Sequence, residues 1–173
     1  MDSTVDTAAL EETAREIRAF LEERWSEWRA ARGIPDPDPV SRNMCRLSAA
    51  LLAPALEERH GGGWRVAGGC GEEGGDLGEY DTRAFPGGMV SLEDGHWHGH
   101  YWAWSRGLGL VVDVTADQFG HPGIVVTRED DPRYRRNYLQ RAVDSHLRHV
   151  SRSRAAWLAG WRSRDMPVAA MTR

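Results

Sequence analysis

An α+β fold is predicted, with a cysteine-bearing helix packed on an antiparallel β-sheet and further helices at the N- and C-terminal ends. Three patterns predict it. Apolar residues recur at helical spacing towards both ends of the chain, β-branched and aromatic runs crowd residues 96–127, and a glycine-rich stretch over 61–95 joins a second helix to those strands. The chain has 173 residues, which fits a single domain, 1–173, large enough to bury its own core. A hydrophobic fraction of 40% with 28% charged residues is globular and excludes wholesale disorder.

The first helix is expected over 6–32. Leu10, Ala14, Ile17, Leu21 and Trp28 follow one another at three-, four- and seven-residue steps and form one stripe. Gly33 and the run IPDPDPV then read as an extended linker, because proline cannot continue a helix. A second helix is expected from Ser41, a suitable N-cap, with Cys45 in its first turn and Pro54 kinking it or starting a new turn. The glycine-rich stretch predicts loops with short strands near Trp64–Ala67 and Met89–Leu92, and Cys70 within it reads as a loop thiol. HWHGHYWAW, GLVVDVT and GIVVT predict strands. From Pro132 a last helix is expected over 133–163, carried by Leu139, Val143, Leu147, Val150, Trp157 and Trp161, with Arg135, Arg136, Arg141, Arg148 and Arg152 on its solvated face.

Composition narrows the chemistry. The net charge is −4, and all 22 basic residues are arginine. Without lysine there is no Schiff-base, Lys-base or P-loop chemistry. The mildly acidic balance speaks against a nucleic-acid partner. No apolar run reaches the roughly 18 residues of a membrane span, so no membrane partner is expected. The opening MDSTVDTAALEE is acidic and lacks the apolar stretch of a signal, which points to a cytoplasmic setting. Two cysteines, Cys45 and Cys70, are then expected to be free, and a four-cysteine zinc site is impossible.

The chemistry concentrates in the hairpin. A four-residue loop at Ser105–Leu108 would pair Trp104 with Gly109 and set His100 opposite Asp113, about 5 Å apart at Cβ. A carboxylate there would fix the imidazole tautomer and stabilise its cation. A register shifted by two would give Asp113 to His98 instead. Trp102 shares the His100 face and would shield the pair from water. Cys45 completes the set, since a thiol at a helix N-terminus beside a histidine is placed to act as a nucleophile.

Cys45 in NMCRLSAALL, His100 in HYW and Asp113 in DVT together resemble the transglutaminase-like, papain-related cysteine enzymes. The resemblance covers roughly residues 41–120. In that superfamily the order is Cys, His, Asp; the cysteine starts a helix within Gly-x-Cys-x-x-x-Ala, the histidine lies in His-x-Trp and the aspartate in Asp-x-Thr. Here Asn43 stands at the glycine position, and no glutamine lies just before Cys45. The resemblance implies a catalytic α+β core over 41–127 and a Cys45–His100–Asp113 triad. It implies a thioester intermediate passed to water or an amine, a peptide or small amide-containing substrate, and no cofactor. Asn43, Gln118 and backbone N–H groups are the oxyanion candidates; His98, Trp102 and His121 are further candidates to shape the site. Two other readings stay open: a metal-binding protein or metal-dependent hydrolase built on His96, His98 and His100, with Asp113, His121 or Cys45 completing the ligands, and a non-catalytic binding domain of the same fold. The oligomeric state is left open.

Overall fold

The computed structural model describes residues 6–164; residues 1–5, part of the opening segment read above for a targeting signal, lie outside them. The architecture is α+β, with four α-helices against a curled antiparallel sheet of six strands. Helix α1 spans Thr7–Ala30, α2 Cys45–His60, α3 Gln140–Arg148 and α4 Ser151–Arg164. The strands are β1 (Trp64–Cys70), β2 (Gly88–Val90), β3 (Trp97–Ser105), β4 (Leu110–Asp113), β5 (Val125–Arg128) and β6 (Tyr134–Arg135).

Helix α1 starts where Asp6 Oδ1 accepts the amides of Ala8 and Ala9. Its apolar stripe buries Leu10, Ala14, Ile17 and Leu21 and closes on Trp25, while Trp28 is only half-buried beneath Arg32. Helix α2 starts later than expected. Ser41 caps nothing in it; its hydroxyl donates to Asp117 Oδ1 at 2.6 Å, and Cys45 becomes the first helical residue. Pro54 neither ends nor restarts the helix. A proline at this position leaves the carbonyl four residues earlier without its donor. That carbonyl, Ala50 O, accepts Arg154 Nε from α4 at 3.1 Å, so the missing bond is replaced from outside the helix.

β3 is the strand that organises the sheet. β1 pairs along it from Trp64↔Ser105 to Cys70↔Gly99, β4 pairs with its C-terminal end and β2 with its N-terminal end. β5 extends the sheet beyond β4, and β6 beyond β2. Glycine makes one convergence possible. A Cβ on Gly69 would stand 1.9 Å from Gly88 N, and one on Gly88 would stand 2.0 Å from His98 O. Three backbones thus meet beside His100, where no side chain fits.

Residues 133–139 are not helical, contrary to the expected helix over 133–163. Their polar groups serve the sheet: Tyr134 lies in β6, and the buried Asn137 side chain accepts Cys70 N at 3.1 Å. The helical pattern holds only from Gln140 and breaks between α3 and α4 at His149–Val150. Arg135 and Arg136 therefore lie on no helix; they cover the rings of Trp97 and Trp104. Cys70 is likewise no loop thiol, since it is the buried last residue of β1.

Side chains alternate along β3 between two cores. Tyr101 and Ala103 join the cluster built on α1, α2 and α4. Trp102 joins a second cluster with Met89, Val111, Phe119 and Tyr134. Among the described residues no helix is long and apolar enough to cross a membrane.

Candidate active site

The hairpin register differs from the expected one. Ser105 pairs with Leu110 and Ala103 with Val112, so the loop is Arg106–Gly109, one residue later than predicted. Extended, this register would put Trp102, rather than His100, opposite Asp113. The ladder stops at Ala103↔Val112, and His100 meets Asp113 across the diagonal. Diagonal same-face positions lie about 7–8 Å apart, a gap that an imidazole and a carboxylate together can span. His100 Nε2–H donates to Asp113 Oδ2 at 2.6 Å. Both residues are buried, at 0% and 1% exposure.

Asp113 is fully engaged. Its Oδ1 accepts the amide of Thr115 at 2.9 Å and the Thr115 hydroxyl at 3.1 Å. Its Oδ2 accepts the Tyr134 hydroxyl at 3.1 Å as well as the imidazole. Burial alone would push the Asp113 carboxyl up, but the His100 ring and the Thr115 donors hold it below the usual carboxylate range. Burial likewise pushes His100 down, and the Asp113 charge and hydrogen bond outweigh it and raise the ring to about 10, with Cys45 adding in the same direction. The Tyr134 phenol, buried beside Asp113, is pushed well above its ordinary value and stays a proton donor. Tyr134 was not legible as a site residue in the sequence, because PRYRRN read as the start of a helix.

The carboxylate on Nε2 fixes a proton there, which leaves Nδ1 without a proton in the neutral ring. Nδ1 is buried and has no partner at hydrogen-bonding geometry. Cys45 is the polar neighbour that, after Asp113, raises the His100 ring. Its thiol is free and half-buried, so it is the member of the set that solvent reaches. As the first residue of α2, Cys45 stands among N–H groups that have no intrahelical acceptor. Phe119 meets the His100 ring edge-on with centroids 4.9 Å apart, and Trp102 lies against it at 5.9 Å. These rings belong to the second core, whereas Cys45 packs on the first, so the set sits at the seam between the two.

The turn before Cys45 is tied to the turn after Asp113. Asn43 has φ 63, the left-handed conformation that glycine adopts freely and asparagine tolerates best among other residues. Its amide donates to Gln118 Oε1 at 3.4 Å, and Gln118 Nε2 donates to Thr115 O at 2.9 Å. Gln118 is therefore a brace between the two turns. Beside it, Asp117 accepts Ser41 Oγ and both terminal nitrogens of Arg18, at 2.6, 3.0 and 2.7 Å. Burial raises Asp117, and Arg18 and Ser41 overcome that and hold it low. Arg18 also donates to Val114 O at 2.7 Å, clamping α1 onto the segment that follows Asp113.

No family model, no curated protein and no solved structure matches this chain.

The other sequence candidates lie apart. His98 Nε2 pairs with Asp94 at 2.9 Å and its ring stacks on Phe119, so it borders the site without touching Asp113. His96 pairs with Glu72 at 2.9 Å, and His121 Nε2 donates to Val90 O at 2.7 Å. Among the described residues no three such side chains are grouped to hold a metal ion. His96 and His98 instead line a cavity of about 400 Å³ with Cys70, Glu72, Glu73 and Asp94. Cys70 Sγ accepts Asn137 Nδ2 at 3.2 Å.

Proposed function

We propose that this chain is a thiol enzyme of the transglutaminase-like type, acting on an amide or related acyl bond through Cys45, His100 and Asp113. The observation that supports this best is the buried His100 ring, bonded to Asp113 at Nε2 and unpartnered at Nδ1, with the free Cys45 thiol beside it at a helix start.

Each residue has a chemical role in this reading. The Cys45 proton passes to His100 Nδ1, and Cys45 Sγ forms a bond to the substrate carbonyl carbon. The carbonyl oxygen takes up the electron pair and is met by the unpaired N–H groups at the start of α2. As the intermediate collapses, the C–N bond breaks and His100 returns its proton to the leaving nitrogen, which leaves a thioester on Cys45. Water or an amine then attacks the thioester while His100 accepts its proton; the C–S bond breaks and Cys45 is regenerated. Asp113 orients the ring and stabilises its cation throughout. Water as acceptor makes the enzyme a peptidase or deamidase, and an amine makes it an acyltransferase.

The test is thiol reactivity. Native protein is treated with limiting iodoacetamide near pH 6 and the labelled peptides are mapped by mass spectrometry. An ordinary thiol, with a pKa of about 8.5, is almost wholly protonated there. Selective labelling of Cys45 over Cys70, lost in His100→Ala, is the expected result. A Cys45 that labels only after unfolding would overturn the reading.

A further inference from the structure

The far end of β3 carries a second constellation. A cavity of about 470 Å³ opens there, lined by Arg65, Arg106, Arg136, Trp104 and the backbone of Gly62 and Gly107, among others. It lies about 16 Å along the strand from His100, counted as five residues at 3.3 Å each. Three elements deliver its arginines: Arg65 from β1, Arg106 from the β3–β4 loop and Arg136 from just past β6.

Its arginines have no ion-pair partner within the lining. Among the described residues none of the three arginines makes an ion pair, whereas Arg15, Arg18, Arg29, Arg59, Arg133 and Arg162 each do. No carboxylate lines the cavity. Glu129, which accepts Trp104 Nε1–H at 2.9 Å, is the nearest counter-charge to Arg136 and stands outside the lining. Burial pushes Arg136 down; Glu129 opposes that, and the charge of Arg106 adds a smaller push down. Like charges held together with nothing between them suit an anion.

The wall of the cavity beside Arg65 is backbone. The Trp64 indole Nε1–H is buried and has no acceptor. It lies 3.5 Å from the point where a Cβ on Gly62 would stand, and the Trp64 side chain lines the neighbouring cavity with Glu57, Arg65 and Asp144. Gly62 has φ 101, and a Cβ there would also strike Leu108 at 2.5 Å, so the wall is bare backbone by necessity.

We propose that this cavity binds the phosphoryl group of a small molecule, gripped by the guanidinium forks of Arg65, Arg106 and Arg136. Guanidinium matches a phosphoryl oxygen pair bidentately, and three forks without an ion-pair partner in the lining suit a dianion better than a single carboxylate. The site is a concavity rather than an extended basic face, and the net charge of −4 opposes a polyanion. This site is separate from Cys45 and does not depend on the reading of that thiol.

The experiment is isothermal titration of the full chain with inorganic phosphate and with AMP, in chloride buffer at constant ionic strength. Saturable binding to one site is expected. Tighter binding of AMP assigns a phosphoester, and equal binding assigns free phosphate; either supports the site. Arg65→Gln and Arg106→Gln change exposed side chains, so the fold is retained, and each is expected to weaken binding about tenfold or more. Arg152→Gln on α4 and Cys45→Ala should leave it unchanged. Absence of saturable heat with both probes overturns the proposal, as does equal affinity in the double variant. Capture of duplex DNA without phosphate binding also overturns it.

Discussion

Asp113→Asn tests the buried pair directly. The substitution preserves volume and the two bonds from Thr115 to Oδ1, provided the amide nitrogen takes the place of Oδ2. That nitrogen then faces His100 Nε2, which must accept a proton instead of giving one. The ring is forced into the tautomer with its hydrogen on Nδ1, and the nitrogen facing Cys45 ceases to be a base. Flipping the amide instead would set its N–H groups against the two Thr115 donors. The magnitude follows from the pH behaviour of His100, whose value rises from 6.5 to about 10 on folding. A raised histidine contributes stability that is complete below about 6.5 and is lost as pH climbs through the folded value. At 1.36 kcal/mol per pH unit the full contribution is about 5 kcal/mol, the upper end of the 3–5 kcal/mol typical of breaking a buried pair. Asp113, held low in the fold, contributes above its ordinary value and loses that contribution in acid. The stability gap between wild type and Asp113→Asn should thus be largest near pH 5–6 and narrow as pH rises from 6.5 toward the folded value of His100. Urea denaturation at pH 5.5, 7, 8.5 and 10 measures it. A gap that is constant with pH, or below about 1 kcal/mol at pH 5.5, would refute the ionised pair. Iodoacetamide labelling of Cys45 at pH 6 should also fall in this variant.

Two further predictions concern the braces around Cys45. Asn43→Gly should leave stability within about 0.5 kcal/mol, whereas Asn43→Val, β-branched at φ 63, should lose about 1–3 kcal/mol of unfolding free energy and slow Cys45 labelling. Arg18→Met keeps the stem length but leaves the Asp117 carboxylate without its cation and Val114 O without its donor, and thermal unfolding should show a loss of about 2–4 kcal/mol that Asp117→Asn largely reproduces. If Arg18→Met proves neutral, the clamp between α1 and the turn after Asp113 does not hold the site.

Much of this arrangement was readable because it follows local rules. The stripe of α1 repeats every three to four residues, and parity along HWHGHYWAW puts His98, His100, Trp102 and Trp104 on one face whatever the register. The His100–Asp113 pairing was reached from a register that proved two residues off, and it occurs because the ladder ends early and the side chains bridge the diagonal. What escaped the sequence is held by distant partners. Ser41 looks like a helix cap, but Asp117, 76 residues away, takes its hydroxyl. Pro54 looks like a break, but Arg154 satisfies the carbonyl it frees. Tyr134 and Asn137 sit in a stretch whose helical spacing is accidental, and their roles appear only once Asp113 and Cys70 are in place.

Cys45 and His100 are 55 residues apart, and their ring-and-thiol geometry depends on α1, α2 and four strands. Such contacts are non-local, so their closure comes after the loops between them have been ordered. A growing or partly folded chain therefore carries a thiol but no proton acceptor for it. On the proposed role of Cys45, its reactivity at pH 6 and the native topology arise together, and the rate at which Cys45 gains reactivity toward iodoacetamide at pH 6 during refolding is expected to follow completion of the fold.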